Sequence, residues 1–101
     1  VFTACRPEPG AIVKKIYCFE VPSSTEWHAP LANDSFLPNT FVDISNTLDK
    51  KLTALNAYKS EMKPWPHSRS IKAVEHLARW RGASAGFEAA EAFSLSRNLV
   101  L

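Results

Sequence analysis

The segment 15–21 reads Lys-Ile-Tyr-Cys-Phe-Glu-Val, and it decides the fold class. It is short, nearly continuously apolar and rich in β-branched and aromatic residues. Such a run is typical of a strand that is covered on both faces, as in a parallel sheet. Because side chains alternate along a strand, Ile16 and Cys18 are predicted to face one side and the aromatic side chains the other.

Pro22 ends this strand, and a long loop, 23–39, follows it. Loops of that length without their own structure are often functional. A second short strand is predicted at 41–44. Ser45 or Asn46 then caps a helix that is predicted to run to about residue 62, because apolar residues recur at spacings of three and four. Its apolar stripe comprises Leu48, Leu52, Leu55, Tyr58 or Lys59, and Met62.

A second helix follows the rigid Pro64-Trp65-Pro66 segment. Ser68 or Ser70 is its predicted start, and Gly82 or Gly86 its predicted stop, since glycine accepts the left-handed conformation cheaply. Its buried stripe comprises Ile71, Val74, Leu77 and Ala78. The alternation near the chain's end suggests a final strand, with an alanine-rich helix as the competing interpretation. The order strand, loop, strand, helix, helix, strand predicts an α/β fold, with 1–101 as a single domain.

The composition excludes several classes of protein. With 46% hydrophobic and 22% charged residues, the chain is an ordinary globular one rather than a disordered one. The formal charge of +2 is scattered, so no basic stripe for a nucleic acid is expected. No apolar run approaches the roughly 20 residues of a membrane span. Two cysteines are too few for a disulfide scaffold, which predicts a reduced, cytoplasmic setting.

The first residues carry two open interpretations. The short apolar segment 1–5 is either the tail of a helix whose start is missing or a frayed terminus. The chain also begins Val1-Phe2-Thr3 without a methionine, as if it had been cut from a longer protein or started at an unusual codon.

Among the ionisable residues, Glu20 is the leading candidate for a site. It interrupts an apolar strand near its carboxyl end, where ligands bind to parallel sheets. The alternative is an edge-facing glutamate paired with a lysine. His28 and His67 lie in predicted loops, where each is either a pocket residue or an ordinary surface histidine. His76 is predicted to be a solvated helix residue, and the three histidines do not supply a zinc site.

The remaining candidates have structural interpretations. Cys18 is predicted to be a core residue rather than a reactive thiolate. Trp65, between two prolines, is the best candidate for an exposed anchor. The basic cluster 79–81 is predicted to lie at a helix C-terminus, where it complements the helix dipole.

Several stretches together resemble one family. In order, they are Phe19-Glu20-Val21-Pro22-Ser23-Ser24-Thr25-Glu26-Trp27, Phe36-Leu37-Pro38-Asn39-Thr40-Phe41-Val42-Asp43-Ile44, Lys59-Ser60-Glu61-Met62, Pro66-His67-Ser68-Arg69-Ser70, Ala78-Arg79-Trp80-Arg81-Gly82 and Glu88-Ala89-Ala90-Glu91-Ala92-Phe93. The ordered set is similar to the C-terminal part of the PIG-L/LmbE family of zinc-dependent N-acetylglucosaminyl deacetylases. The resemblance covers nearly the whole chain.

The resemblance implies a Rossmann-like α/β fold, here a partial one. In that family, zinc polarises an amide carbonyl and activates a water while an aspartate acts as general base. The family's metal ligands lie in a His-Pro-Asp-Asp segment and a His-x-x-His segment, and neither occurs in these residues. The resemblance therefore implies no catalytic residue, no metal ligand and no cofactor in this chain. It implies a substrate-side set of Glu20, Ser23, Ser24, Thr25, Glu26, Trp27, His67 and Arg69.

These observations leave two principal hypotheses and a minor one. The first is a non-catalytic C-terminal fragment of an LmbE-like deacetylase that self-associates as a homo-oligomer, for which an exchanged element is a low-cost route. The second is an independent binding or assembly module derived from that fold, without enzymatic activity. The third, a nucleic-acid-binding adaptor, rests only on the slight positive charge, and neither a nucleic acid nor a membrane is expected as a partner.

Overall fold

The computed structural model describes residues 1–22 and 35–100, and the predicted element order is confirmed for them. The elements are β1 (Lys15–Phe19), β2 (Thr40–Asp43), α1 (Leu48–Asn56), α2 (Ile71–Ala83) and β3 (Ala90–Asn98). The chain is thus a small mixed α/β protein. The last element is the predicted strand and not the competing helix, and the predicted loop lies in part outside the described residues.

The sheet of the described residues is antiparallel, so the predicted parallel sheet is wrong. Its order is β1-β3-β2, and β3 runs antiparallel to both neighbours. The covering of β1 on both faces is wrong as well, because Tyr17 is 43% and Phe19 67% exposed. An apolar run shows that a strand forms but not which strand will lie beside it, and here β3 enters between two strands that precede it.

A β-bulge adjusts the pairing of β1 with β3. Ile16 faces Arg97 and Tyr17 faces Leu95, so Ser96 of β3 is the extra residue. The Cys18 sulfur lies 3.1 Å from the Ser96 hydroxyl. Cys18 is therefore half-buried at the bulge, rather than in the core as predicted.

The core is small and built largely from alanine. Its centre is formed by Leu48 of α1, Ala78 of α2 and Ala89, with Ile44 and Leu52 packed against it. Short side chains let α2 approach the sheet closely, and α2 contacts β3 and β2 while α1 contacts α2. Both helices thus present part of their predicted apolar stripes to this core.

Helix α1 is shorter at both ends than predicted. Ser45 does not cap it, because its hydroxyl donates to the Asp43 carboxylate at 2.5 Å. The helix begins instead after Thr47, whose side chain makes no capping hydrogen bond. Beyond Asn56 the chain tightens into turns, and Tyr58 is 64% exposed instead of joining the apolar stripe.

Ser70, one of the two predicted caps, begins α2. Its hydroxyl accepts a hydrogen bond from the Ala73 amide at 3.0 Å, and the residue is almost fully buried. The helix ends at Ala83, before Gly86, which has a φ of +84°. Gly82 lies inside the helix and its carbonyl accepts from the Phe87 amide at 2.8 Å. Of the two predicted stops, only Gly86 adopts the left-handed conformation.

Replacing the α2 cap is expected to weaken the fold. Ser70→Ala should lower the free energy of unfolding by about 1 kcal/mol, since the Ala73 amide loses its acceptor. Thr47→Ala is the matched control at the start of α1. Because Thr47 makes no capping bond, its removal should change the stability by less than half as much. Urea titration followed by circular dichroism measures both, and equal losses would contradict the capping role.

Two further observations concern the N-terminal segment 1–5 and the possibility of a membrane-spanning helix. Within segment 1–5 the Cys5 amide donates to the Val1 carbonyl at 3.0 Å, which is a single helical turn. Among the described residues, no helix has the length and apolar character needed to cross a bilayer.

Candidate functional site

A charged cleft lies where the end of β1, helix α2 and strand β3 meet. Its volume is about 190 Å³. Its lining brings together residues that are far apart in the sequence and carries four ionisable side chains, namely Glu20, Lys51, Arg81 and Glu91. We define these four residues and the space between them as the charged cleft.

Glu20 and Arg81 form the more deeply buried ion pair of the charged cleft. Arg81 donates from Nη2 to Oε1 of Glu20 at 2.9 Å and from Nε to Oε2 at 3.2 Å. Both side chains are only 19% exposed, and the guanidinium also lies over the Phe36 ring, 5.5 Å from its centroid. Two parallel bonds to one carboxylate fix both groups in orientation. Glu20 is therefore neither in a parallel-sheet crevice nor paired with a lysine, as the two interpretations had it.

Lys51 and Glu91 form the second pair. The Lys51 ammonium donates to Oε1 of Glu91, and the two side chains are about one third exposed. This contact joins α1 to β3, as the first pair joins the end of β1 to α2. All four charges of the cleft are thus neutralised internally. The two pairs together act as a structural clamp, because each joins two elements of the fold.

The other predicted substrate-side residues lie elsewhere or outside the described residues. His67 is exposed, and its Nδ1 accepts a hydrogen bond from the Arg69 amide at 3.0 Å. Arg69 is half-buried, and its Nε has no hydrogen-bond partner among the described residues. Neither residue lines the charged cleft that contains Glu20. Ser23, Ser24, Thr25, Glu26 and Trp27, and with them His28, lie outside the described residues.

The described residues also bear on metal binding and on Trp65. Within 1–22 and 35–100, no three side chains of histidine, cysteine, aspartate or glutamate are grouped so that they could hold a metal ion. Trp65 is half-exposed, as predicted, but it contacts α2 of its own chain. Its ring meets His76 edge to face at 5.5 Å, and the Lys72 ammonium lies 5.2 Å from its centroid. One side of the Trp65 ring is therefore already covered by side chains of α2, and a partner could contact only the rest of it.

Hydrogen bonds perturb the acidity of Asp43 at the end of β2. The hydroxyl and the amide of Ser45 both donate to Asp43, and these hydrogen bonds lower the pKa of Asp43 below its ordinary value. Asp43 is exposed and lies at the end of β2, outside the charged cleft. Its hydrogen bonds shape the turn into α1 rather than a reactive centre.

An apolar sheet surface is the second candidate. Tyr17, Thr40, Val42 and Phe93 line a shallow depression of about 290 Å³, and Phe19 faces Phe93 across the strands. The Tyr17 and Phe93 rings pack edge to face with centroids 5.9 Å apart. We call these five residues the open face. The alternation along segment 15–21 placed its two β1 aromatics together, but nothing in the sequence showed that they would stay exposed.

No model of a known protein family matches the chain. The resemblance to LmbE-like deacetylases therefore stays a prediction from the ordered motifs. Sequence reasoning missed Lys51, Arg81 and Glu91 as site residues, because each is an ordinary charged residue of a helix or strand. Their role comes from ion pairs between residues that are far apart in the sequence. Glu20 and Arg81 are 61 positions apart, and Lys51 and Glu91 are 40 positions apart.

Proposed function

We propose that this chain is a non-catalytic, self-associating assembly element, corresponding to the C-terminal part of an LmbE-like, Rossmann-like fold and working in a reducing cytoplasm. One observation carries the proposal: β1 is an edge strand of the described sheet, and its Tyr17 and Phe19 side chains stay exposed. Exposed, apolar edge strands pair with other chains unless they are covered.

The charged cleft supports the absence of catalysis. General acid–base chemistry needs a titratable group that is free to exchange a proton near the substrate. Here Glu20 and Glu91 are each held by a cationic partner. The His-Pro-Asp-Asp and His-x-x-His segments that hold zinc in LmbE-like enzymes do not occur in the 101 residues. Both observations support a role in assembly rather than in catalysis.

The exposed area predicts that association is weak and reversible. From their exposed fractions, Tyr17 and Phe19 of β1 together leave roughly 200 Å² of surface in contact with water. A stable interface buries about 800 Å² on each partner. These two side chains alone are therefore too small for a permanent dimer, and hydrogen bonds along the edge strand are expected to add to the association.

Sedimentation velocity from micromolar to millimolar concentration tests self-association. We expect the wild-type chain to pass reversibly from monomer to a larger species. Tyr17→Lys should weaken this association at least about ten-fold, because a charged group replaces a ring that becomes buried. Tyr58→Lys is the matched control, since Tyr58 is also exposed but lies in the turns after α1, and it should leave the association unchanged.

Two results would overturn the proposal. A wild-type chain that remains monomeric throughout the concentration range is not an assembly element. A purified chain that binds stoichiometric zinc and hydrolyses an N-acetylglucosamine conjugate is not non-catalytic. Circular dichroism on both tyrosine variants separates loss of association from loss of folding.

A further inference from the structure

The outer edge of β1 carries a self-complementary sequence. Among the described residues, β1 pairs with β3 on one side, and its other side carries no paired strand. Two copies of an edge strand related by a two-fold axis pair antiparallel. The strand's side-chain sequence decides whether such a pairing is favourable, because residues directly opposite each other lie on the same face of the joined sheet.

We propose that a second copy of this chain docks antiparallel on the outer edge of β1, with the two-fold axis at Tyr17. This inference rests on the proposed self-association and specifies its partner and register. In this register Tyr17 faces Tyr17 of the second copy, and Lys15 faces Phe19. Lys14 faces Glu20, so that opposite charges meet on both sides of the axis.

The faces of the strand agree with this register. Ile16, the buried residue of β1, comes opposite Cys18, which lies on the same side of the strand. Tyr17 and Phe19, both on the open face, come opposite Tyr17 and Lys15. A register shifted by one residue would place buried side chains opposite exposed ones. The joined sheet would therefore extend the open face, and the two facing Tyr17 side chains would bury part of each other's exposed surface.

The charges favour the antiparallel arrangement over a parallel one. A parallel, in-register pairing would place Lys14 and Lys15 beside their own copies, and like charges directly opposite each other are destabilising. The antiparallel arrangement separates the lysines to opposite ends. Glu20 already accepts two hydrogen bonds from Arg81, and the Lys14 ammonium donates one to the Ala11 carbonyl at 2.7 Å. An ionised carboxylate has further lone-pair positions, and an ammonium has two further hydrogens, so the two groups can still pair across the axis.

The outer edge of β2 is less suited to the same role. β2 has four residues, and Pro38, which lacks an amide hydrogen, lies two positions before it. Prolines near edge strands are a common protection against pairing. A two-fold axis at Phe41 would also oppose Asp43 to Asn39, which gains no ion pair. We therefore expect a second copy to pair with the outer edge of β1 and not with that of β2.

Disulfide trapping tests the register. In a Cys5→Ser, Cys18→Ser background, Tyr17→Cys places the only thiol on the proposed axis, where facing Cα atoms lie within the 4.4–6.8 Å that a disulfide spans. Val42→Cys is the matched control, because Val42 is 48% exposed and Tyr17 43%. We expect a mild oxidant to cross-link the Tyr17→Cys chain at least about ten-fold faster than the Val42→Cys chain.

A charge reversal tests the same register with Tyr17 in place. Lys14→Glu sets two glutamates against each other on both sides of the axis and should weaken dimerisation roughly ten-fold. Lys50→Glu makes the same charge change at an exposed position of α1, and it should alter the dimerisation constant less than two-fold.

The outcomes separate the two proposals. If sedimentation shows association but Val42→Cys cross-links as fast as Tyr17→Cys, or if both charge reversals act equally, the β1 register is wrong and the assembly function stands. If the wild-type chain stays monomeric, both proposals are wrong. Fast trapping at position 17 together with selective weakening by Lys14→Glu establishes the register.

Discussion

Gly82→Ala is expected to destabilise the fold by about 3 kcal/mol, the upper part of the range for overpacking. A Cβ at position 82 would lie 2.6 Å from Cα of Ala89, 2.7 Å from the Ala89 amide nitrogen and 2.7 Å from the Phe87 carbonyl oxygen. These are backbone atoms, so no side-chain rotation relieves the contact. Helix α2 would have to move away from the start of β3. Urea unfolding followed by circular dichroism measures the loss.

The sign of this effect makes the prediction specific. At an exposed helix position, glycine to alanine stabilises by about 1 kcal/mol through helix propensity. Ala83→Gly, at the exposed last position of α2, is the control and should cost at most about 1 kcal/mol, because helix propensity counts less at a helix end. A Gly82→Ala variant as stable as the wild-type chain would show that α2 does not approach Ala89 this closely.

The sequence predicted the elements better than their arrangement. The apolar run at 15–21, the spacing of the apolar residues in both helices and the cap at Ser70 are local signals, and each indicated the correct type of element. The direction of β1 relative to its neighbour is not local, because β3 follows it by about 70 residues. The antiparallel sheet therefore replaced the predicted parallel one without any change in the element order.

The same distinction between local signals and non-local arrangement explains which residues of the charged cleft could be predicted. Glu20 drew attention because a charge in an apolar strand is unusual, and the structure places it in the charged cleft. Arg81 looked like a residue that complements a helix dipole, and its bond to Glu20 depends on how α2 lies on the sheet. Gly82 was interpreted as a helix stop. A glycine inside a helical pattern can also mark close packing, which is its role here.

The Glu20–Arg81 pair leads to the second large effect. Arg81→Met is expected to lower the free energy of unfolding by about 2 kcal/mol, because it leaves the Glu20 carboxylate largely buried without its cation. The figure is below the 3–5 kcal/mol of a fully buried pair, since both side chains keep 19% of their exposure. The loss should change little with added salt, as buried charges are poorly screened.

Arg79→Met, two positions earlier in α2, provides the comparison. Arg79 pairs with Glu75 at 3.3 Å, one turn away, and its side chain is 51% exposed. Exposed pairs at this spacing contribute about 0.3–0.5 kcal/mol and weaken with salt. Because Arg81 also lies over the Phe36 ring, a double-mutant cycle with Glu20→Gln isolates the ion pair from that contact. A coupling energy near zero, or equal losses at positions 79 and 81, would mean that the pair does not join the end of β1 to α2. A coupling above about 1 kcal/mol would identify the ion pair as a contact that holds the end of β1 against α2.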